Sequence, residues 1–390
     1  MRSEWITSTI DDICKLVTDG AHNSPKSVDN GYYMASVKDF TAYGFDFSNC
    51  RKISEADYLK LKKQGCVPES GDILVGKDGA RYFEDVIIYR QKEQPALLSS
   101  IAILRVDDTK VTSEFLYYTL KSPAVKKDVR DNYGSGSAIP RIVLKDFKRM
   151  PISFPSLKEQ KKITNICVLL DEKIQLNNRI NKNLEQQAQA IFKSWFINFE
   201  PFSNRKPSGW SVLTLGNVSI MGAGGDKPQN VSPIRTDLYE YPIYSNGLSN
   251  EGLYGFTDKP KISEESVTVS ARGTIGFVCL RHIPYVPIVR LVTLIPKTEI
   301  ISAKYLYLWL KQLHITGTGT TQQQLTVPDF QKTEILVPSQ EIVTLFTATV
   351  EPIFEKIWAN QNENEKLSSL RDTLLPKLMS GELDVSDTEI

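Results

Sequence analysis

Histidine is scarce in this chain, and what there is stands apart. The three histidines, His22, His282 and His314, have no second histidine beside them. A zinc centre or a Ser-His-Asp triad needs its donors grouped, so no catalytic and no metal-ligating residue is assigned. The five cysteines, at 14, 50, 66, 167 and 279, are odd in number and show no CxxC spacing. That excludes a disulfide framework and a zinc ribbon, and it predicts reduced thiols in a cytoplasmic protein. No apolar run approaches the ~20 residues that cross a bilayer, and Met1-Arg-Ser-Glu-Trp lacks the apolar stretch of a secretion signal. No membrane association is expected.

Catalytic motifs are absent as well. There is no GxxxxGK[ST] phosphate loop, no GxSxG, and no Asn/Asp-Pro-Pro-aromatic run of the amino-methyltransferase kind. Gly222-Ala-Gly-Gly-Asp-Lys-Pro is glycine-rich but has neither the spacing nor the following helix of a nucleotide loop. Gly134-Ser-Gly-Ser-Ala-Ile and Gly317-Thr-Gly-Thr-Thr-Gln begin like a dinucleotide fingerprint and lack its third glycine. Pro328-Asp329 with Glu334-Ile-Leu336 has leucine where a nuclease carboxylate set needs lysine. The chain therefore reads as a non-enzyme. Its 390 residues, 41% hydrophobic and 24% charged, are enough for two or three domains with cores of their own.

What the chain does have is an internal copy of itself. Slid by 183 positions, residues 134–184 fall on 317–367 without a gap, matching Gly134 to Gly317, Asp146-Phe147 to Asp329-Phe330, Pro155-Ser156 to Pro338-Ser339, Glu172-Lys-Ile174 to Glu355-Lys-Ile357, Asn177 to Asn360 and Asn181 to Asn364. Fainter matches reach back to Gly79 with Gly273 and Trp5 with Trp210. A repeat this long is a duplicated domain, not a solenoid, whose period is ~20–50 residues.

Each copy has the same two parts. Residues 1–157 and 210–339 read as mixed α/β domains, with short apolar runs bounded by Gly, Pro and Asp. Residues 158–199 and 340–379 read as long helices, 200–209 as a linker, and 380–390 as an acidic tail. Seven-spaced rows run along both helices: 163, 170, 177, 184, 191 with 167, 174, 181, 188, 195, and 346, 353, 360, 367, 374 with 350, 357, 364, 371, 378. That spacing is a coiled-coil seam, and Asn177, Asn181, Asn360 and Asn364 lie on it as register-setting residues. Net charges of +3 over 158–199 and −2 over 340–379 suit antiparallel pairing of two rods of roughly 60 Å. Pro352 should kink the second helix or mark its start. The competing reading is that each helix covers only its own domain.

The net charge is +1, but residues 121–149 hold Lys121, Lys126, Lys127, Arg130, Arg141, Lys145, Lys148 and Arg149 against three acids. This basic cluster surrounds the repeated Gly/Ser loop, which suggests a phosphate-facing surface as well as a solvated one.

The order of parts resembles the specificity subunit of type I restriction–modification systems over nearly the whole chain. The residues that carry the resemblance are Gly134-Ser-Gly-Ser-Ala-Ile-Pro-Arg with Ile152-Ser-Phe-Pro-Ser-Leu-Lys-Glu-Gln, and Gly317-Thr-Gly-Thr-Thr-Gln-Gln-Gln with Ile335-Leu-Val-Pro-Ser-Gln-Glu. Gly71-Asp-Ile-Leu-Val…Gly79 and Arg272-Gly-Thr-Ile-Gly add to it, although the first copy has Asp78-Gly-Ala-Arg at the second of these places. The resemblance implies an α+β fold: two target-recognition domains related by a pseudo-two-fold and separated by two long helices that pair as an antiparallel coiled coil. It implies that each domain reads half of a split double-stranded DNA target. The helices would set the gap and dock two modification (methyltransferase) subunits, with restriction (motor-nuclease) subunits completing the complex. S-adenosylmethionine and ATP would belong to those partners, with no cofactor in this chain. Candidate DNA contacts are Lys77, Asp78, Arg81, Ser135, Ser137, Arg141 and Lys145 in the first copy, and Arg272, Thr274, Thr318, Thr320, Gln322, Gln323 and Gln324 in the second. Their donors and acceptors suit base edges and phosphates. Because Ala138-Ile-Pro-Arg differs from Thr321-Gln-Gln-Gln, the two halves of the target should differ. Two other functions stay open: a specificity subunit of a related type II-like restriction complex, and a bivalent scaffold that binds no DNA.

Overall fold

The computed structural model describes residues 5–79, 81–135, 140–317, 323–383 and 385. The chain forms two compact units, Met1–Leu176 with Glu363–Ile390, and Asn177–Asn362. Each unit thus holds one α+β domain and one half of each long helix.

In the first unit a four-stranded antiparallel sheet runs in the order Cys14–Asp19, Ile101–Val106, Ile73–Gly76, Val86–Ile88. Its strands are the apolar runs of the sequence, and Ile73, Leu74, Val75 and Ile101 through Leu104 are buried on both faces. A ribbon pairs Ile6–Thr9 with Pro151–Phe154, and a small sheet sets Tyr32–Ala35 between Lys52–Ile53 and Ala96–Leu97. The helix Ser113–Lys121 covers the core with Phe115, Leu116 and Leu120, each worth ~1.5–3 kcal/mol when buried.

The second unit repeats this plan. Its four-stranded order is Ser219–Ala223, Val292–Pro296, Ser266–Val269, Val278–Arg281, its ribbon is Ser211–Thr214 with Glu334–Val337, and its small sheet sets Tyr241–Tyr244 between Leu253–Thr257 and Val286–Pro287. Even the single parallel pairing of each small sheet recurs, Met34 on Ala96 and Ile243 on Val286. The linker by composition is packed here: Phe202 lies 5.0 Å from Trp210, ring to ring.

The helix Ser113–Lys121 and its counterpart in the second unit, Ala303–Gln312, are capped alike. Thr112 accepts from Phe115 N and Ser302 from Tyr305 N, each at 3.2 Å. Each cap is also tied to a long helix, through Thr112 N donating to Gln160 Oε1 at 2.9 Å and Thr347 Oγ1 bonding Ser302 Oγ at 2.7 Å.

The long helices are Leu157–Phe196 and Gln340–Met379. Within each unit their halves run antiparallel. In the first unit Asp171 pairs with Arg371 and Lys173 with Glu363, while Ile163, Cys167 and Ile174 on one helix and Leu375 and Leu378 on the other are buried. In the second, Phe192 and Phe196 pack on Phe346, and Asn360 Nδ2 donates to Asn181 Oδ1 at 2.8 Å. Asn181 also donates to Ile357 O at 3.3 Å, and Asn177 and Asn360 are buried. Of the four seam asparagines, Asn177 and Asn360 are thus buried and Asn181 and Asn364 half-buried.

Of the two expectations at Pro352, a kink or the helix start, the second is corrected. The helix begins at Gln340 and continues through Pro352 and through Pro376. A proline there removes one backbone donor and crowds the carbonyl four residues earlier. Burial outweighs that cost, because Phe346 and Val350 on one side and Phe354 on the other are anchored in the same core.

Candidate nucleic-acid interface

In the first unit the strand Ile73–Gly76 runs out into Lys77-Asp78-Gly79. Gly79 has φ +97°, a left-handed turn that glycine adopts without strain. The turn meets the repeated glycine loop, 60 residues on. Gly79 N donates to Pro140 O at 2.9 Å and Ile142 N to Lys77 O at 3.0 Å. Ser135 and Arg141 exchange two backbone hydrogen bonds of 2.8 Å, closing the loop on itself. A Cβ on Gly134 would stand 2.7 Å from Tyr82 Oη, the tip of a side chain that can swing aside.

The second unit builds the same junction. Val269 leads to Ala271-Arg272-Gly273, with Gly273 at φ +69°. Leu325 N donates to Ala271 O at 3.0 Å, the counterpart of Ile142 on Lys77. Arg272 Nε and Nη2 donate to Gln324 Oε1 at 3.1 and 2.8 Å. A Cβ on Gly317 would stand 2.7 Å from Gln324 N and 2.8 Å from Ile275 Cδ1. The duplicated glycines thus lie where neighbouring segments approach closely, against backbone at Gly317 and against a side-chain tip at Gly134.

The charges are arranged differently from the sequence expectation. Lys77 is interior, only 7% exposed, with its amine 3.3 Å from Asp19 and 3.7 Å from Asp78. Its charge is already compensated, so it supports the loop from beneath instead of facing outward. Arg81 is exposed and pairs with Asp85 at 2.8 Å, whose hydrogen bond holds the guanidinium above its ordinary pKa.

The basic cluster is largely neutralised. Lys126 and Arg130 share Glu84, Lys127 pairs with Asp131, Lys148 with Asp11 and Arg149 with Asp146. Lys121 is turned inward onto Tyr117 Oη at 2.8 Å. Arg141 and Lys145 are exposed and make no ion pair among the described residues. Among the described residues these two are the exposed cations of the cluster without an ion pair.

Ser135 donates its hydroxyl to Arg141 O, Thr274 is half-buried, and Gln323 is exposed next to Gln324. Ser137, Thr318, Thr320 and Gln322 lie outside the described residues, as do most of the acidic tail positions after Leu383.

A third segment reaches the second junction without any mark in the sequence. Asn246 Nδ2 donates to Val289 O at 2.6 Å, and its Oδ1 accepts from Ala271 N at 2.7 Å. Val289 and Arg290 both have positive φ, and no glycine or asparagine signals a turn there.

The assembled surface offers guanidinium, amide and hydroxyl groups, which suit base edges and phosphate oxygens. Among the described residues no group of three or more His, Cys, Asp or Glu side chains is placed to hold a metal. Burial pushes the thiols of Cys167 and Cys279 up to about 12, so they stay protonated and unreactive near neutral pH.

The model of the family described as the type I restriction modification DNA specificity domain matches this chain twice, over residues 2–186 and 207–368. The chain is 28% identical over 315 residues to the type I restriction enzyme MjaIX specificity subunit of Methanocaldococcus jannaschii, covering 71% of this chain and 70% of that protein. It is 25% identical over 403 residues to the type I restriction enzyme HindI specificity subunit of Haemophilus influenzae, covering 81% and 87%. A crystal structure of a type I restriction-modification system S subunit from M. genitalium superposes with a TM-score of 0.56 at 18% identity, over 97% of this chain and 96% of that one, a likeness of fold. Among the described residues no helix is long and apolar enough to cross a membrane.

Proposed function

We propose, from the premise that the chain belongs to the family of type I restriction–modification DNA specificity proteins, that it is the non-catalytic DNA-recognition subunit of such a complex. Each unit reads one half of a split, asymmetric target in double-stranded DNA. The long helices set the gap and carry the docking faces for two modification subunits, and restriction subunits join the full complex. S-adenosylmethionine and ATP are held by those partners, and the complex works in the cytoplasm.

One observation carries this reading. The two units have the same frame and the same loop junction, but different side chains at it: Asp78, Ser135 and Arg141 in one, Arg272 and Gln324 in the other. Side-chain contacts to base edges select sequence, so one frame with two chemistries yields two different half-sites. Five paired cations around the first loop also suit a reader that leaves much of the phosphate clamping to its partners.

The test is a domain exchange. Residues 1–157 are replaced by the equivalent segment of another family member, and the chain is expressed with its modification subunits. The methylated motif of the host DNA should change in one half only. A motif that changes in both halves, or a wild-type complex that methylates no split motif, refutes the reading.

A further inference from the structure

The glycine-rich run 222–226 resembles no nucleotide loop, and the structure gives it another purpose. Gly224 N donates to Leu291 O at 2.8 Å, Arg290 N to Gly224 O at 2.8 Å and Val289 N to Gly225 O at 2.9 Å. A Cβ on Gly224 would stand 2.7 Å from Ile288 N. The run is a cradle that lets the turn 288–291 lie directly on the backbone.

That turn is strained. Val289 has φ +53° and Arg290 φ +60°, two successive non-glycine residues in the left-handed region, the first of them β-branched. Such conformations persist only where the surroundings over-determine them, and they cluster at functional sites. Both side chains are exposed, and Arg290 makes no ion pair among the described residues.

The first unit shows what the turn would otherwise be. Its frame is the same: Gly20 N donates to Ile101 O, Ser99 N to Ala21 O and Leu98 N to Ala35 O, matching Gly224 to Leu291, Val289 to Gly225 and Ile288 to Tyr244. There the turn is Ser99-Ser100, with no positive φ, and Lys77 N takes Ser100 O directly at 2.8 Å. In the second unit Ala271 N, the counterpart of Lys77 N, takes the side-chain oxygen of Asn246 instead, and the amide nitrogen holds Val289 O. By strand register the first-unit counterpart of Asn246 is Val37, which can make neither bond. A side-chain amide has replaced a backbone contact, and the turn has opened. Arg290 and Arg272 each follow directly on a residue held by that one amide.

We propose that Arg290 reads a base of the second half-site, that Asn246 is the positioning residue that presents it, and that this half-site contains a guanine at the position read. The proposal rests on the DNA-reading function above. Arginine bonds guanine O6 and N7 bidentately in the major groove, and on a turn fixed at both ends only the side chain, not the backbone, has to be ordered for it. The first unit, with two serines there, lacks this contact, and so the two half-sites differ at the equivalent place.

The experiment compares wild type, R290A, R290K and N246V, each assembled with its modification subunits, for methylation of a randomised DNA library. R290A and R290K should lose preference for guanine at one position of one half-site, on the order of 10- to 100-fold. Lysine lacks the planar fork that fits O6 and N7 together, and it keeps the stem and charge should the alanine variant fail to assemble. N246V should lose preference at that same position, which a merely structural role would not select. Unaltered reading of the other half-site is the folding control. An unchanged motif in R290A and R290K, or an equal loss for all sequences as expected of a phosphate contact, overturns the proposal. N246V acting at a different position overturns the role of Asn246. A wild-type complex that methylates no split motif overturns the DNA-reading function itself and is distinct from both.

Discussion

Removing Arg371 should destabilise the first unit far more than removing an exposed cation on the same helix pair. Arg371 lies on the seam of the second long helix and its Nη1 reaches Asp171 Oδ1 on the first, while Nε and Nη2 reach Asp372 at 3.0 and 2.8 Å. Asp171 is nearly enclosed: its side chain is 7% exposed, that of Arg371 16%, and its other oxygen accepts from Tyr118 Oη at 2.7 Å. In R371M the carboxylate stays buried and loses its countercharge, which costs ~3–5 kcal/mol. The control is Lys173, whose pair with Glu363 is 44% and 43% exposed and contributes at most ~1 kcal/mol. For a unit of about 200 residues each kcal/mol moves the melting midpoint by roughly 2–4 °C, so R371M should fall by about 6–20 °C and K173M by a few degrees at most. Calorimetric melts at low and high salt separate them further, because 1 M salt screens the exposed pair and leaves the buried one. The double variant D171L/R371M, with both charges gone, should recover most of the loss. Equal small shifts for R371M and K173M, or a double variant as unstable as R371M alone, would refute the reasoning.

Two further outcomes follow from neighbouring contacts. Burial first of all pulls the Lys121 amine down to about 8 from 10.5, with Arg371 and Lys126 adding to the fall and Asp171 and Asp372 opposing it. Between pH 8 and 10.5 the unfolded chain keeps a proton that the folded chain has lost, so stability rises with pH there, and below pH 8 the full penalty of roughly 3 kcal/mol applies. K121L should therefore raise the urea midpoint at pH 7 and lose that gain by about pH 10.5; an equal gain at both pH values refutes it. The two repeated glycines should respond unequally to alanine. At Gly317 the new Cβ meets the backbone nitrogen of Gln324 at 2.7 Å, which cannot yield, whereas at Gly134 it meets the hydroxyl tip of Tyr82, which can swing. G317A should cost ~1–3 kcal/mol and G134A less, read as the thermal midpoint of each variant; equal shifts would refute the contrast between a fixed backbone neighbour and a yielding side chain.

Several features were open to sequence reasoning because they repeat or are periodic. The long helices are marked by seven-spaced apolar rows, and the paired Asn181 and Asn360 by their places on those rows, since a helix face depends only on spacing. The strands Ile73–Gly76 and Ile101–Val106 are marked by unbroken apolar runs, the pattern of strands buried on both faces. The duplicated glycines at 134 and 317 mark the loop junction, although not what each loop touches.

The rest was decided in three dimensions. Lys77 looks like a loop cation in sequence, yet two carboxylates, one of them 58 positions away at Asp19, draw it inside. The basic run 121–149 looks like one surface, but Glu84 and Asp11, distant in the chain, neutralise part of it. Pro352 looks like a helix end, and core anchors on both sides carry the helix through it. Nothing local announces the left-handed turn at Val289-Arg290, because a side chain more than 40 positions away, Asn246, holds it open. By itself the sequence determined a duplicated reader joined to a pair of helices, because periodicity and repetition are local properties. Which charges face outward, and which turn presents an arginine, only the tertiary structure decided, because each depends on a partner brought from far along the chain.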